Sequence, residues 1–305
     1  MTEPGVGFRS GFVTVIGRPN VGKSTLVNRL VGQKVSIVSD RPQTTRSAIR
    51  GVRTTADTQI VFVDTPGIHR PRTLLGERTN RRAQDALDEV DVICVVVEAN
   101  APYGPGDRFV ADLAHAAAAP AVLIVNKVDA ATPDQVVDHL ASAASALGEF
   151  DAYVPLSART GEGVEHLVSE LAARLPEGPQ YFPEGVVTDQ PETFLAAELV
   201  REQLLRVARD ELPHSIAVSV EVDDDDNSRR DDVLSLLVTI RVERESQKGI
   251  VIGRRGAVLK EALTSARREL EALLSTRVFM RTRVTVERDW QRRPHSLDRL
   301  GFTQR

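Results

Sequence analysis

The residues best suited to chemistry form a glycine-rich segment near the start of the chain. Gly17, Gly22, Lys23 and Ser24 match the pattern G-x-x-x-x-G-K-[ST], between an apolar run and a helix-like stretch. In that context backbone N–H groups and the positive end of the helix surround phosphates, the lysine adds charge at the β- and γ-phosphates, and the serine ligates Mg²⁺. The sequence therefore predicts a nucleotide-phosphate site, whose residues are Gly17, Arg18, Pro19, Asn20, Val21, Gly22, Lys23, Ser24 and Thr25.

A second motif follows the apolar run at 60–63 and is suited to report the third phosphate. Asp64 stands where that predicted strand ends, so its carboxylate can hold Mg²⁺ through a water. The amide of Gly67 can then sense the γ-phosphate. We predict that this loop, switch II, consists of Asp64, Thr65, Pro66, Gly67 and Ile68.

Two further segments specify the base. The run Asn-Lys-Val-Asp at 126–129 follows an apolar stretch, and a carboxylate there accepts hydrogen bonds from N1–H and the 2-amino group of guanine. Adenine offers no such pair of donors, and the unpaired carboxylate costs a factor of about 10⁴. Another short motif, at 157–158, follows the next strand, where a backbone amide would meet guanine O6. The predicted guanine-binding residues are Asn126, Lys127, Asp129, Ser157 and Ala158.

Three motifs in this order, each at the end of a predicted strand, indicate a GTP-binding domain. Residues 11–175 resemble the translation-factor-like small GTPases, and the run Pro-Gln-Thr-Thr-Arg at 42–46 resembles switch I of the Era family. The resemblance implies Thr45, in preference to Thr44, as the threonine that senses Mg²⁺. The implied metal ligands are Ser24, Thr45 and Asp64.

Two residues bear on hydrolysis within that resemblance. Ile68 stands where many relatives carry a water-positioning glutamine, and because isoleucine cannot orient water, intrinsic hydrolysis should be slow. Asn20 matches the asparagine that Era-like GTPases associate with a potassium ion, which would lie between phosphates in place of an arginine finger. The alternative for Asn20 is a local turn former.

The elements that must position these residues are visible as short aliphatic runs separated by helix-like stretches such as 23–31 and 164–175. The runs are continuously apolar, which suits strands buried on both faces of a parallel sheet. They lie at 12–16, 59–63, 92–97, 121–125 and 152–155. We therefore predict an α/β P-loop GTPase domain at 11–175, with a mostly parallel sheet, helices on both faces and ligand loops at the carboxyl ends of the strands.

The pattern changes after residue 175. Residues 176–193 contain four prolines and two glycines and are expected to form a surface linker, and the first ten residues a flexible N-terminus. The loop at 223–232, with four consecutive aspartates, is expected to be solvated. A second domain is predicted at 194–305, with a helix at 194–212, strands at 215–222 and 233–242, a helix ending near 275 and a last strand at 278–286.

A G-x-x-G segment at 253–256 lies in the basic part of the chain. Residues 241–305 hold 16 Lys and Arg against 8 Asp and Glu, whereas the first 240 residues hold 23 against 35. Such a loop lets a nucleic-acid backbone approach closely, and the two arginines inside it add positive charge. Its place in a helix–strand–strand–loop–helix–strand order resembles an α+β type II KH domain, and residues 243–290 resemble the KH domain of the Era family.

The KH resemblance implies single-stranded RNA as the ligand. The implied RNA-binding residues are Gly253, Arg254, Arg255, Gly256 and Lys260. Candidates for an apolar platform under the bases, or else core residues, are Ile250, Val251, Ile252, Val258 and Leu259. Arg267 and Arg268 either contact phosphates or form a solvated helix face, and Trp290 is expected to pack in the fold rather than stack on a base.

The family resemblance implies a Mg²⁺-dependent GTPase that binds the 3′ region of 16S rRNA and acts in maturation of the small ribosomal subunit. We expect a cytoplasmic monomer. One alternative is a regulatory GTPase in growth or cell-cycle control, attached to the inner face of the cell membrane through the basic C-terminal segment. Another is an RNA-binding module with an inactive G domain. The single cysteine, Cys94, excludes a disulfide framework, and no apolar run approaches the roughly 20 residues that span a bilayer.

Overall fold

The structure is a computed structural model, and its parts divide into two units. It describes residues 7–39, 44–68, 73–207, 215–223 and 233–302. The first unit comprises Met1–Val38, Thr45–Pro71 and Thr79–Asp189, and the second comprises Ser39–Thr44, Arg72–Arg78 and Gln190–Arg305. Short segments around both predicted switches therefore belong to the second unit, which the sequence did not predict.

A single mixed sheet organises the first unit. Its described strands are β1 (Arg9–Gly17), β2 (Ile49–Thr54), β3 (Thr58–Asp64), β4 (Val92–Glu98), β5 (Ala121–Asn126) and β6 (Ala152–Pro155). They are ordered β2-β3-β1-β4-β5-β6, and only β2 and β3 run antiparallel. Central strands β3, β4 and β5 bury almost every residue, because both faces of a parallel sheet are covered.

Helices cover both faces of this sheet. They are α1 (Lys23–Val31), α2 (Leu74–Asp85), α3 (Pro105–Ala116), α4 (Pro133–Leu147) and α5 (Val164–Arg174). Ile93, Val95 and Val97 of β4 pack with α3 and α4. Alternate residues of a strand point to opposite faces, so Cys94 and Val96, which are also buried, face the other helical layer. Cys94 is thus a core residue.

The chain at both ends of this unit differs from the sequence prediction. Residues 8–10 were expected in a flexible N-terminus, yet Phe8 is buried and β1 begins at Arg9, while residues 1–6 lie outside the described residues. Residues 176–189, expected as a surface linker, belong to the first unit. Gln59 donates to the Phe182 carbonyl at 2.9 Å, and the Val52 amide donates to the Val187 carbonyl at 2.9 Å. Backbone and side-chain hydrogen bonds therefore fasten this stretch along the sheet.

The second unit is an α+β sandwich of helices on one sheet. Its described elements are α6 (Glu192–Val207), β7 (Ala217–Val222), β8 (Val233–Val242), α7 (Glu245–Ile252), α8 (Ala257–Leu274), β9 (Arg277–Val286) and α9 (Pro294–Arg299). The order is β7-β8-β9, antiparallel and then parallel. Leu236, Val238 and Ile240 of β8 pack against Leu199 of α6 and Leu270 of α8, which forms the core of this unit.

Two parts of the second unit fall outside the described residues. The predicted helix at 194–212 begins at Glu192 and is described as far as Val207. The predicted acidic loop at 223–232 is described only at Asp223, which is buried and accepts a 2.7 Å hydrogen bond from Arg281. No helix among the described residues is both long and apolar enough to cross a membrane.

Candidate nucleotide site and nucleic-acid interface

The glycine-rich loop lies between β1 and α1, as the sequence predicts. Gly22 has φ +100°, and a Cβ there would lie 2.3 Å from the side-chain nitrogen of Asn126, so no other residue fits. Asn20 is also left-handed, with φ +68°. Left-handed residues in such a loop turn successive N–H groups toward one side, which suits an anion. Arg18 and Pro19 precede this turn, the buried Val21 follows Asn20, and Thr25 lies in the first turn of α1.

Lys23 is folded under this loop. Its Nζ donates to the carbonyl oxygens of Gly17, at 3.0 Å, and Arg18, at 2.8 Å. Burial lowers the pKa of Lys23 to about 8, and the negative charge of Asp64 opposes this shift only in part. The ammonium group is therefore a buried charge whose protonation a bound phosphate would favour.

Three oxygen-bearing side chains of the first unit meet beside the loop. The hydroxyls of Ser24 and Thr45 are 3.0 Å apart. Asp64 is fully buried, and neither of its carboxylate oxygens has a hydrogen-bond partner of normal geometry. Burial raises the pKa of Asp64, while the nearby Ser24 hydroxyl and the Lys23 charge lower it in part. A buried carboxylate without partners is costly, and oxygen ligands of this kind suit Mg²⁺.

Residues of the predicted switch II take two different positions. Thr65 is buried and donates to the Val15 carbonyl at 2.9 Å, and Pro66 is buried beside it. The backbone at Gly67 approaches Pro19 of the phosphate loop closely. Ile68 is buried and belongs instead to the hydrophobic core cluster that includes Ile93.

The predicted guanine-binding segments are joined to the phosphate loop and to each other. Asn126 donates to the Val21 carbonyl at 2.8 Å. Asp129 accepts hydrogen bonds from the Ser157 hydroxyl and, at 2.8 Å, from Arg159 Nε. These two partners, Ser157 first, hold the pKa of Asp129 below its ordinary value. Asp129 is therefore an ionised acceptor on a segment whose Asn126 and Lys127 bind the phosphate loop.

The two predicted guanine motifs also contact each other. The Ala158 amide donates to the side-chain oxygen of Asn126 at 3.0 Å, and the contact of a backbone amide at 157–158 with guanine O6 stays a prediction. Because Ala158 is also buried, its amide serves to fix the asparagine.

In the second unit, the G-x-x-G segment connects α7 to α8. Gly253 has φ +72°, and a Cβ there would lie 2.4 Å from a methyl group of Val258, so the close turn requires glycine. Arg254, Arg255 and Lys260 are exposed. The loop therefore presents positive side chains around a backbone turn that only glycine allows.

The hydrophobic neighbours of this loop divide between surface and core. Ile250 is 52% exposed, whereas Val251 is buried in the core of the unit, and Ile252, Val258 and Leu259 are half-buried. Of the platform candidates, Ile250 is the most exposed and Val251 is a core residue. Arg267 and Arg268 are exposed on α8.

Comparisons with known proteins identify the family. A family model described as "50S ribosome-binding GTPase" matches residues 12–127, and one described as "KH domain" matches residues 211–291. The chain is 49% identical to GTPase Era of Mycolicibacterium smegmatis over 304 residues, which cover 99% of this chain and 100% of that protein. The chain belongs to the Era family of GTPases. With GTPase Era of Mycolicibacterium paratuberculosis the identity is 50% over 306 residues, with the same coverage of both chains.

Two solved Era structures share the whole fold. One is Era in complex with MgGDPNP and nucleotides 1506–1542 of 16S ribosomal RNA, and the other is an Aquifex aeolicus Era variant bound to GDP and AlF₄⁻. Each has a TM-score of 0.93 and 37% identity, over 97% of this chain and 100% of the other. The predicted family and fold class, a P-loop GTPase domain followed by a KH domain, are confirmed.

Several polar residues of this Era family member carry no motif and were missed in the sequence. Arg159, which pairs with Asp129, is one. In the second unit, Arg201 of α6 is buried and donates to the Thr44 carbonyl of the predicted switch I. Arg78, in the second turn of α2, donates to Asp298 at 2.7 Å and to the Phe302 carbonyl at 2.5 Å. Arg78 and Arg201 could have been signalled only as charged residues within helix-like stretches, and Arg159 only by its place two residues after Ser157.

The C-terminal segment of this unit packs around a buried tryptophan. Trp290 is completely buried, and its Nε1 donates to the Ser215 carbonyl at 2.9 Å. Leu75 of α2 joins the same apolar cluster with Leu297 and Phe302. Trp290 is therefore a packing residue, and the first turn of α2 is part of the core it forms.

Proposed function

We propose that this Era-family GTPase is a GTP-dependent switch that binds single-stranded RNA through its KH unit. By kinship, the RNA is the 3′ region of 16S rRNA, and the process is maturation of the small ribosomal subunit. The observation that carries the proposal is the presence of a complete set of nucleotide motifs and an exposed G-x-x-G loop in a chain that matches an RNA-bound Era over its full length.

In the proposed phosphate site, the loop at 17–25 surrounds the phosphates with N–H groups, and Lys23 contributes a positive charge. Ser24, Thr45 and Asp64 would hold Mg²⁺, which supplies charge neutralisation to the phosphates when bound. The unpartnered, buried oxygens of Asp64 support this assignment. The proposed guanine contact is the ionised carboxylate of Asp129, with Asn126 and Lys127 holding the loops together.

The proposed hydrolysis is slow without a further device. Ile68 is packed in the core and offers no group that could orient water. We propose Asn20 as a residue near which K⁺ supplies positive charge to the phosphates. The left-handed backbone of Asn20 fits its alternative role as a turn former equally well, so the response of turnover to potassium decides between the two roles. GTP turnover would then be faster in potassium than in sodium at equal ionic strength.

We further propose that the nucleotide state reaches the KH unit through the switch segments. Thr45 belongs to the first unit and Thr44 to the second, and the Thr44 carbonyl is bound by Arg201. Any displacement of Thr45 on loss of the γ-phosphate therefore acts on a residue that the second unit holds. The segment at 176–189 is a poorer candidate for transmission, because it is hydrogen-bonded within the first unit.

Titration of a single-stranded RNA oligonucleotide from the 3′ end of 16S rRNA, with and without a GTP analogue, tests the proposal. We expect Arg254→Asp with Arg255→Asp to weaken binding on the order of 100-fold, because two charges at the backbone clamp are reversed. The matched control is Arg292→Asp with Arg293→Asp, an exposed pair in the same unit with the same charge change. Binding to anionic vesicles together with indifference to RNA would instead favour a membrane-surface regulator.

A further inference from the structure

Two carboxylates outside the nucleotide motifs lie behind the phosphate loop. Asp107, in the first turn of α3, is buried. Its Oδ1 accepts a 2.6 Å hydrogen bond from Arg18 Nε, and its Oδ2 accepts a 2.8 Å hydrogen bond from the Gly104 amide. A buried carboxylate with a charged donor on one oxygen and a helix-capping amide on the other is held in a single orientation. Asp107 therefore fixes the side chain of Arg18.

The second carboxylate is Glu98, at the end of β4. It forms an ion pair with Lys127 Nζ, and its Oε2 also lies 3.8 Å from Arg18 Nη2. Lys127 Nζ in turn donates to the carbonyl of Asn20 at 2.8 Å. Glu98 thus holds Lys127 in place, and Lys127 binds the phosphate loop at Asn20, whose backbone is left-handed.

Both sets of contacts reach residues of the phosphate loop. Asp107 holds the side chain of Arg18, whose carbonyl also receives the Lys23 ammonium, and Lys127, held by Glu98, donates to the Asn20 carbonyl. A left-handed non-glycine residue such as Asn20 is strained by about 1 kcal/mol or more and persists where its surroundings hold it. Contacts that fix this loop in advance reduce the ordering that nucleotide binding must otherwise supply.

We propose that Glu98 and Asp107 are positioning residues of the GTPase site, which act through Lys127 and Arg18 to set the backbone of the phosphate loop. The proposal rests on the proposed phosphate site at 17–25. Neither carboxylate need touch the nucleotide, and both act equally on ground state and transition state. Their loss should therefore change nucleotide binding and leave the chemical step nearly unchanged.

The test compares Glu98→Gln and Asp107→Asn with wild type in steady-state GTP hydrolysis and in release of a fluorescent GDP analogue. Each variant keeps its shape, and Asn can still cap α3. We expect KM for GTP to rise about tenfold and GDP release to accelerate by a similar factor, because a hydrogen bond to a charged group is lost. At saturating GTP, kcat should change by less than about twofold.

The matched control is Asp91→Asn. Asp91 is a carboxylate of the same unit that accepts a 2.7 Å hydrogen bond from the Phe12 amide and takes no part in the phosphate loop. We expect Asp91→Asn to leave KM unchanged, whatever it does to the melting temperature. If the two test variants resemble Asp91→Asn in KM and GDP release, the proposal is overturned.

Double-mutant cycles test the route of action. Asp107→Asn should have no further effect on KM in an Arg18→Met background, because Asp107 acts through that cation. Glu98→Gln should have only a small further effect in a Lys127→Met background, where its 3.8 Å approach to Arg18 remains. Additive effects would refute this route.

A different result would disprove the phosphate site on which the proposal rests. If Lys23→Ala binds GTP as tightly as wild type, residues 17–25 do not form the phosphate site. Should Asp107→Asn fail to fold, Glu98→Gln, which caps no helix, decides the matter.

Discussion

At the scale of single residues, Lys23 and Asp64 are opposite charges enclosed in the first unit, and burial moves both toward their neutral forms. It lowers the pKa of Lys23 to about 8 and raises that of Asp64. Each charge alone is therefore costly, and bound phosphate and metal would favour the charged form of both. The protein's own contacts to these two groups offset the cost of burial only in part.

This residue pair gives a pH dependence with a defined sign. Phosphate raises the pKa of Lys23 above its free value of about 8, so binding takes up a proton at higher pH and affinity falls as pH rises. GDP affinity should be measured in EDTA, so that no divalent cation neutralises the phosphate charge that acts on Lys23. We expect this affinity to fall about tenfold between pH 7 and pH 9. Calorimetry in two buffers of different ionisation enthalpy measures the proton uptake. Lys23→Arg keeps its charge and should give a flat profile; a flat wild-type profile would contradict the argument.

At the scale of elements, the sequence predicted the strands and helices that are buried on one face or on all sides. It missed an element that forms only because it pairs with a neighbouring strand. β4 and β5 are continuously apolar because both faces are covered, and their predicted bounds differ from the observed ones by one residue at most. β2 was missed, since Arg50, Gly51 and Arg53 interrupt its apolar pattern and only pairing with β3 makes it a strand. The nucleotide motifs were visible because their spacing is local. The partners Arg201 and Glu98 were not, because folding alone brings them to the loops.

The turn between α7 and α8 gives a prediction at this scale. Gly253→Ala meets both a left-handed φ and a Cβ 2.4 Å from Val258, whereas Gly256→Ala meets a left-handed φ with nothing within 4 Å. We expect Gly256→Ala to lower the free energy of unfolding by about 1 kcal/mol and Gly253→Ala by about 2–3 kcal/mol. Urea denaturation of both variants measures this. Equal losses would show that the contact with Val258 relaxes freely.

At the scale of the whole molecule, the division into two units does not follow the boundary read from the sequence. The segments Ser39–Thr44 and Arg72–Arg78 belong with the KH unit, although the residues that follow each of them belong to the first unit. Each segment is held within the second unit by a buried arginine. Arg201 donates to the Thr44 carbonyl of the first segment, and Arg78, which lies in the second segment, donates to Asp298. Under the proposed function, a switch that orders or releases these segments would change the packing of the KH unit.

Such coupling has a measurable size and must be reciprocal. Suppose that the protein binds RNA more tightly with a GTP analogue than with GDP; for coupled sites the ratio of the two affinities is commonly about 5–150. Bound RNA must then increase the preference of the protein for the analogue over GDP by the same ratio. We expect Arg201→Met combined with Glu198→Gln, which neutralises this ion pair and removes the hydrogen bond from Arg201 to the Thr44 carbonyl, to reduce that factor below about threefold. Fluorescence titrations of RNA in both nucleotide states, and of nucleotide with and without RNA, measure it in both directions.

The control for this coupling lies on the same helix. Arg206→Met removes a half-exposed arginine paired with Glu202 one turn away and should leave the coupling factor intact. The Arg201 variant should still bind GDP and RNA separately with near wild-type affinity, because neither proposed site contains Arg201. Retention of the full factor in that variant would place the communication elsewhere, with Arg78 and its contacts to Asp298 and Phe302 as the next segment to alter. Loss of the factor in both directions would instead tie the nucleotide state to the KH unit through a single buried guanidinium.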